Sequence, residues 1–365
     1  MNKYRPSSVS TFSFRSPLVR RQLDQRPSQI ASLYRARSTI YTNNPRRNYS
    51  TEDKAARFVT SFNSFQTFTG VVLVSFLGAY YLYQQNGAKM SSKLIPSDPS
   101  EVMVIRDITP NVVTLSVPFA RFGMIHVGGR ATLVRLTSGR WAVFSPVALT
   151  PEVKAKLAQL GGTVGYIIAP DFEHHIFITE WAKEYPEAKI IGPEGLPEKR
   201  AKAAGSDEKI GNEKFAHVYT PADKQFNQID ADFAKDFEVE YMESHPNKEI
   251  IFYYKPERVL IEADLLFNLP AIEQYSKVPE AARNSHGFAN KLFGGMQSTE
   301  GEAKGMKRFM WYVFSAKNRP SWNASIQRID QWDFTTIIPC HGETMEGNGK
   351  GIFKKIFEWH LEGKK

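Results

Sequence analysis

Histidine and carboxylate residues follow apolar segments of the sequence at three separate places. In each place a run of strand length ends and the chain then supplies an imidazole or a carboxylate, in segments 167–175, 259–264 and 337–343. These segments, together with a histidine between two further predicted strands, offer His174, His175, His245, Asp264 and His341. Imidazole and carboxylate are typical ligands of zinc, iron and manganese. The pattern therefore predicts a site for one divalent metal ion.

The single cysteine, Cys340, limits the chemistry further. One thiol cannot form an intrachain disulfide, and a zinc ribbon needs several. A metal site must then rely mainly on imidazole and carboxylate groups. A divalent ion held by them would activate water and polarise an ester oxygen, and Asp171 or Glu173 could act as the general base.

Each predicted ligand also has a structural interpretation. Of the adjacent His174 and His175, one can cap the following helix, because neighbouring side chains point in different directions. His245 precedes a proline and can belong to a turn, Asp264 can be a helix N-cap, and His341 can bond a buried carbonyl. Functional groups of α/β folds collect at strand ends, where loops converge on a rigid sheet. The recurrence of these residues at strand ends favours the metal interpretation.

The segments that position these residues alternate between strand and helix. The predicted strands are 112–117, 131–136, 140–144, 164–169, 189–191, 237–241, 249–254, 259–261 and 335–338. The first predicted helix begins at Pro151 and ends before Gly161. Three further helices are predicted over 176–185, 322–332 and 353–361, and residues 270–315 are predicted to be mostly helical. Thr137-Ser138-Gly139 predicts a hairpin turn between two of the strands, and Thr150 can cap the first helix. The alternation predicts a layered α/β domain.

The positive charge of the chain lies at its N-terminus. Residues 1–50 contain nine Arg, one Lys and one acid, Asp24, which account for the whole net charge of +9. The rest of the chain is neutral, so the folded part has no basic surplus that would indicate nucleic-acid binding. An Arg- and Ser-rich, acid-poor start predicts a mitochondrial transit peptide over 1–50. The alternative is a disordered basic tail that binds acidic lipid or RNA.

An apolar segment follows the basic one. Residues 66–85 carry no charge, are mostly apolar and end in a cluster of tyrosines, as in a membrane anchor with an interfacial aromatic belt. The alternative is a buried core helix. Residues 90–110 are polar and contain prolines, which indicates a linker. The sequence thus predicts a single-pass protein of the mitochondrial inner membrane whose folded domain covers 111–365.

The order of strands and motif residues resembles the metallo-β-lactamase superfamily over residues 110–361. His245 matches the middle histidine of that superfamily, Asp264 its bridging aspartate and His341 its final histidine. The segments APDFEHHIF, EADLLFN and IPCHGE resemble those of an uncharacterised branch of the superfamily. The resemblance implies a layered αββα sandwich. It also implies a metal site in the loop that contains His174 and His175.

The main motif of the superfamily is altered here. If His175 is matched to the last motif histidine, Pro170 and Phe172 occupy the positions of the first two, and neither can bind metal. The aspartate that ordinarily follows the opening hairpin is replaced by Ser145-Pro146. A single metal ion, held by some of the five predicted ligands, is therefore expected in place of two.

Two functions remain open on the sequence. The first is a membrane-anchored, metal-dependent hydrolase of an ester, thioester or phosphoester of unknown identity, with no nucleic-acid partner. The second is a catalytically inactive domain of the same fold that serves as a binding or assembly module. Convergence of the predicted ligands at one end of the sheet favours the first, and their dispersal favours the second.

Overall fold

The computed structural model describes residues 98–121, 123, 125–224, 229–280 and 288–364. The predicted transit peptide (1–50), the predicted membrane anchor (66–85) and the first part of the predicted linker lie outside these residues. Within the described ranges, no helix is long and apolar enough to cross a bilayer.

The larger sheet of the described residues has seven strands. In spatial order they are β1 (Val104–Thr109), β2 (Val112–Val117), β5 (Gly129–Arg135), β6 (Trp141–Phe144), β7 (Val164–Ile168), β8 (Lys189–Pro193) and β9 (His217–Tyr219). Neighbours are antiparallel from β1 to β6 and parallel from β6 to β9. The predicted hairpin at Thr137-Ser138-Gly139 is confirmed as the β5–β6 turn. A short hairpin, β3 (Ala120–Arg121) and β4 (Ile125–His126), lies apart from this sheet.

The second sheet of the described chain has four strands. Their order is β10 (Phe237–Met242), β11 (Glu249–Tyr254), β12 (Val259–Ile261) and β13 (Thr336–Ile338). β12 and β13 are parallel, and Ile261 lies opposite Ile338. Their carboxyl ends therefore reach the same edge of the sheet, although the two strands are far apart in sequence.

The described residues form nine α-helices around the two sheets. They are α1 (Pro99–Val102), α2 (Pro151–Leu160), α3 (Ile178–Glu184), α4 (Leu196–Ala203), α5 (Ala231–Asp236), α6 (Phe288–Met296), α7 (Lys304–Phe309), α8 (Arg319–Ile329) and α9 (Gly349–Glu362). As predicted, Thr150 caps α2, where its side chain accepts a hydrogen bond from the amide of Val153.

Three buried clusters show the layering. The middle one lies between the sheets and contains Phe144, Ile168, Phe252 and Ile261 among others. The cluster on the outer face of the first sheet joins β2, β5, β6 and β7 to α2, α3 and α4. The third joins the second sheet to α7, α8 and α9. The layers are thus helix, sheet, sheet and helix, and the predicted α/β class is confirmed.

The predicted linker over 90–110 is wrong for its described part. Residues 104–109 form β1, which pairs with β2 along the edge of the first sheet. Met103 is buried, and Ile105 and Ile108 pack against the cores. Ile105 packs against the cluster on the outer face of the first sheet and Ile108 packs against the cluster between the sheets, so this edge strand has apolar contacts on both of its faces.

Candidate metal centre

Three of the predicted ligands converge at the carboxyl ends of strands. His174 follows β7, Asp264 follows β12 and His341 follows β13. Asp264 and His341 each lie three residues beyond the paired positions Ile261 and Ile338. One ligand atom from each of the three residues lies within 4.8 Å of the others.

The two imidazoles approach one another through their Nε2 atoms. His174 Nε2 lies 3.3 Å from His341 Nε2, which is 3.1 Å from Asp264 Oδ1. The Nδ1 atom of His341 lies 2.7 Å from the carbonyl oxygen of Gly128. A carbonyl can only accept, so Nδ1 carries the proton and Nε2 of the neutral ring has a free lone pair. A cation, either a proton or a metal ion, is required between the two Nε2 atoms.

The spacing of these atoms fits a metal ion. Ligand atoms at zinc–nitrogen bond lengths in a tetrahedron are about 3.3 Å apart, close to the two distances observed here. Asp264 Oδ1 is buried and has no hydrogen-bond partner in the described part of the chain. A buried carboxylate oxygen without a donor is costly unless a cation satisfies it. The three residues therefore fit a divalent metal ion, and their donor set does not distinguish zinc, iron and manganese.

The electrostatics of the centre favour positive charge. Burial lowers the pKa of His174, but the Asp171 carboxylate outweighs it and raises that pKa well above its ordinary value. Burial would raise the pKa of Asp264, but the imidazoles of His174 and His341 hold it well below its ordinary range. The raised pKa of His174 means that a proton lies between the two Nε2 atoms in the metal-free chain, and a bound metal ion would replace that proton.

Asp171 orients His174. It is fully buried, and its Oδ1 atom accepts hydrogen bonds from His174 Nδ1 (2.8 Å) and from the amides of Glu173 and His174. A carboxylate bonded to the outer nitrogen of a metal-binding histidine fixes its ring and tautomer. Asp171 was predicted as a general base. Because it lies beneath His174 and away from the cavity, the structure instead gives it this orienting role.

Two glycines allow the His341 loop to close. Gly342 has a φ of 85°, and a Cβ there would overlap the carbonyl of Asn268. Gly128 has a φ of 72°, and a Cβ there would overlap the Gln274 side chain. Both positions need glycine, and the Gly128 carbonyl is the group that fixes the tautomer of His341.

Two buried side chains hold the loop that contains His341 through hydrogen bonds to its backbone. Arg130 Nη1 donates to the carbonyls of Pro339 (2.8 Å) and Gly342 (2.6 Å). Gln274 donates to the carbonyl of Cys340 (2.8 Å) and accepts from the amide of Gly342 (2.9 Å). The backbone on both sides of His341 is thus fixed by side chains from elsewhere in the fold.

Asp264 is held on its other side. The Nδ2 atom of Asn247 donates to Asp264 Oδ2 at 2.5 Å, and the backbone amide of Asp264 donates to Glu249 Oε2 at 3.0 Å. Arg121 Nη2, on β3, lies 3.8 Å from the same Oδ2 atom. These contacts leave Oδ1 directed at the histidines.

His175 lies outside the three-residue cluster. It is buried, and its Nδ1 atom is 3.2 Å from Arg200 Nη1, which also donates to the carbonyl of His175. Burial, with the charges of Lys199 and Arg200, keeps the pKa of His175 well below its ordinary value. The prediction of His175 as a ligand is therefore corrected, because this neighbour of His174 faces a buried arginine.

His245 also lies outside the cluster. Its ring packs between Trp322 and Phe314, and its Nδ1 atom accepts from the amide of Asn247. Nε2 then carries the proton and faces Glu249 Oε2 at 3.6 Å. In this position His245 supports the residues around Asp264 and does not supply a third imidazole to the cluster.

A cavity of about 100 Å³ opens beside the centre. His174 and His341 form part of its wall, together with Glu173, the second predicted base, whose Oε1 is 3.4 Å from Lys199 Nζ. Ser145 also lines it and accepts a hydrogen bond from the Cys340 thiol at 2.9 Å. Apart from these groups, His175 and two arginines, the wall is apolar, so the centre lies at the end of a mainly apolar pocket.

A family described as "Domain of unknown function (DUF4336)" matches residues 120–314, just over half of the chain. The match begins at β3, includes His174 and Asp264, and ends before His341. No curated protein matches the sequence at a significant level.

The fold is similar to several solved structures. These are DIM-1 metallo-β-lactamase exposed to ceftazidime (9% identity, 74% of this chain and 99% of that chain, TM-score 0.45), a metallo-β-lactamase from Pontibacter korlensis (12%, 71% and 99%, 0.40), and the metal-soaked Flv1 flavodiiron core from Synechocystis (12%, 71% and 61%, 0.46).

Proposed function

The chain belongs to the family described as domain of unknown function DUF4336. We propose, from the geometry of its metal centre, that it is a metal-dependent hydrolase of an ester, thioester or phosphoester. One divalent ion, zinc, iron or manganese, would be held by His174, Asp264 and His341. The observation that carries the proposal is the approach of two imidazole Nε2 atoms to one another and to Asp264 Oδ1, which has no hydrogen-bond partner among the residues that the structure describes.

The number of ligands supports catalysis more than a structural role. Structural zinc sites have four protein ligands, whereas catalytic sites have three and one open position. Among the described residues, His174, Asp264 and His341 are the group whose ligand atoms converge. Two of them also face the cavity, where a substrate can reach them.

The side chains around the centre have separate tasks. A divalent ion would supply Lewis acidity, which activates water and polarises the scissile ester or phosphoester. Asp171 holds the ring of His174 in place. Glu173, which lines the cavity and pairs with Lys199, would accept the proton. The apolar wall excludes bulk water and so strengthens each electrostatic interaction.

Metal removal tests the proposal. The purified full-length chain is expected to contain close to one equivalent of zinc, iron or manganese by mass spectrometry. Chelation should abolish hydrolysis of p-nitrophenyl acetate, an acyl thioester or p-nitrophenyl phosphate, and adding back the metal should restore it. A folded chain that stays metal-free after incubation with all three metals would contradict the proposal.

The size of the cavity favours a second candidate, a binding or assembly module without catalysis. Sites for drug-sized ligands usually measure about 300–1,000 Å³, and this cavity is near 100 Å³. The hydrolase and the binding module are distinguished by the hydrolysis assay of the metal-loaded chain. A metal-loaded chain that hydrolyses none of the three substrate classes would favour the module.

We also propose, from the sequence, that the domain is tethered to the mitochondrial inner membrane. The support is the basic, acid-poor segment 1–50 and the uncharged apolar segment 66–85. Carbonate extraction of isolated mitochondria should leave the full chain in the pellet and release a variant that lacks 66–85. Release of the full chain would contradict the anchor.

A further inference from the structure

A serine with a strained backbone lies in the wall of the cavity beside the metal centre. Ser145 follows β6 directly and lines the cavity together with His174 and His341. Its φ of 51° is in the left-handed region, which is uncommon for a residue other than glycine. Residues held in such conformations cluster at sites that bind or react.

Two hydrogen bonds fix the position of Ser145. Its amide donates to the carbonyl of Ile168, on β7, and its Oγ atom accepts from the Cys340 thiol, both at 2.9 Å. Within the described ranges, Cys340 is the one side chain bonded to this Oγ atom. A hydroxyl can accept and also donate one proton, so the Ser145 proton is left for an acceptor of a ligand. Cys340 precedes His341, so that acceptor would lie close to the metal centre.

The charged side chains of the wall already have partners of opposite charge. Arg130 lies 3.3 Å from Glu273, Glu173 lies 3.4 Å from Lys199, and Arg121 lies 3.8 Å from Asp264. A charged ligand would compete with these pairs and would also lose its own hydration. The pairing therefore favours a neutral ligand.

The remainder of the wall is apolar and encloses a small space. Its side chains come from the segment that follows Ser145, from the end of β2 and from the segment before α3, including Pro146, Val147, Ala148, Val117, Ile176 and Phe177. The cavity measures about 100 Å³. That volume is about three times the share of one water molecule in the liquid, and a methylene group is of similar size, so a chain of about four carbon atoms fills it.

We propose that the cavity binds a short, neutral acyl group, whose carbonyl oxygen accepts from Ser145 Oγ and whose chain packs on Val147, Ala148 and Phe177. These four residues are the acyl site. The hydroxyl and two of the apolar residues belong to one short segment, as the carbonyl and the chain of an acyl group require. This inference rests on the proposed function and narrows its substrate to an ester or thioester of a short acyl group.

Calorimetry with uncharged amides tests the acyl site, because an amide has the carbonyl of an ester but hydrolyses far more slowly. For the full-length chain in detergent, we expect butyramide to bind about tenfold or more tightly than acetamide, since each buried methylene adds about fourfold. Octanamide should bind no more tightly than butyramide, because its further methylenes extend beyond the cavity. Equal binding of acetamide and butyramide, or affinity that still rises to octanamide, would overturn the proposal.

Ser145→Ala tests the hydroxyl. This variant should weaken butyramide about threefold to tenfold, the effect of losing one neutral hydrogen bond. It should bind 1-chlorobutane, which has a similar chain but no carbonyl, as the parent chain does. The control, Ser206→Ala, removes an exposed hydroxyl that donates to Ala203 and should change neither affinity. Butyramide binding by Ser145→Ala equal to that of the parent would contradict the proposal.

Ala148→Leu tests the apolar wall. The larger side chain occupies the space of the acyl chain, so the affinity for butyramide should fall to that for acetamide. Ala201→Leu, at an exposed position of α4, is the control and should change nothing. Circular dichroism verifies that each variant is folded. A folded Ala148→Leu chain with the parent's affinity for butyramide would show that the amide binds elsewhere.

Metal content is measured on the same samples, which separates the acyl site from the proposed function. A chain that stays metal-free but binds butyramide through Ser145 would support the acyl site and contradict the metal-dependent function. A metal-loaded chain that hydrolyses p-nitrophenyl acetate but binds acetamide and butyramide equally would support that function and overturn the acyl site.

Discussion

Replacing His341 with alanine is expected to lower the affinity of the chain for zinc by more than a hundredfold. Loss of an outer partner of a ligand typically costs ten- to a hundredfold, and His341 is itself at the centre of the cluster, 3.3 Å from His174 Nε2 and 3.1 Å from Asp264 Oδ1. Competition with a chromophoric chelator measures the change. Zinc should also stabilise the parent chain against heat, because it binds the folded state, and this gain should vanish in the variant.

Two other histidines provide the controls. His217→Ala removes a half-buried imidazole on β9, outside the cluster, and should leave zinc affinity unchanged. His175→Ala should retain one equivalent of zinc, although the loss of its contact with Arg200 will lower stability. If His175→Ala released the metal and His341→Ala kept it, the ligand set proposed here would be wrong.

Replacing Arg130 with methionine is expected to destabilise the fold by about 3–5 kcal/mol, the usual cost of removing one partner from a buried ion pair. Arg130 is 2% exposed. It donates to Pro339, Gly342 and Ser116 and pairs with Glu273. Methionine fills the volume but leaves two loop carbonyls without donors, and each unsatisfied buried group costs about 1–3 kcal/mol.

Guanidinium unfolding of the full-length chain in detergent measures this loss. The control is Arg135→Met on the same strand, where the arginine is only partly buried, and it should cost under about 0.5 kcal/mol. Zinc affinity of Arg130→Met should also fall, because the loop that carries His341 loses its support. A variant as stable as the control would show that this arginine does not hold the loop.

The strand ends were predictable from the sequence because their signal is local. Apolar runs such as 164–169 and 259–261 identify buried strands, and the polar residues that follow them must lie at a sheet edge. This reasoning identified His174, Asp264 and His341, and the structure brings these three together. The structure also confirmed the predicted α/β class, the predicted hairpin and the predicted helix cap at Thr150.

The choice between His174 and His175 was not predictable in the same way. Adjacent side chains diverge, but which one faces the centre depends on partners outside the motif. Asp171 draws the first ring towards the cluster, and Arg200, from α4, holds the second away from it. The direction of a loop side chain is decided by such long-range contacts, which leave no local pattern in a single sequence.

The supporting residues carried even less signal. Arg121, Arg130, Asn247 and Gln274 belong to no motif, and their spacing repeats nothing. An arginine near the start of a mostly apolar strand, as at position 130, is the one weak indication of a buried charge. β1 was missed because residues 90–110 are largely polar and contain prolines, a composition that is typical of a linker.

The position of β13 late in the sequence limits the stage of synthesis at which the metal centre can form. β13 is the last strand among the described residues and pairs in parallel with β12, and His341 lies three residues beyond it. During synthesis the chain emerges from its N-terminus onward. The first sheet and most of the second will therefore have left the ribosome before the final coordinating imidazole does. Loading of the proposed metal ion must therefore come after His341 has been synthesised, and a nascent chain that stalls before β13 carries an unfinished centre.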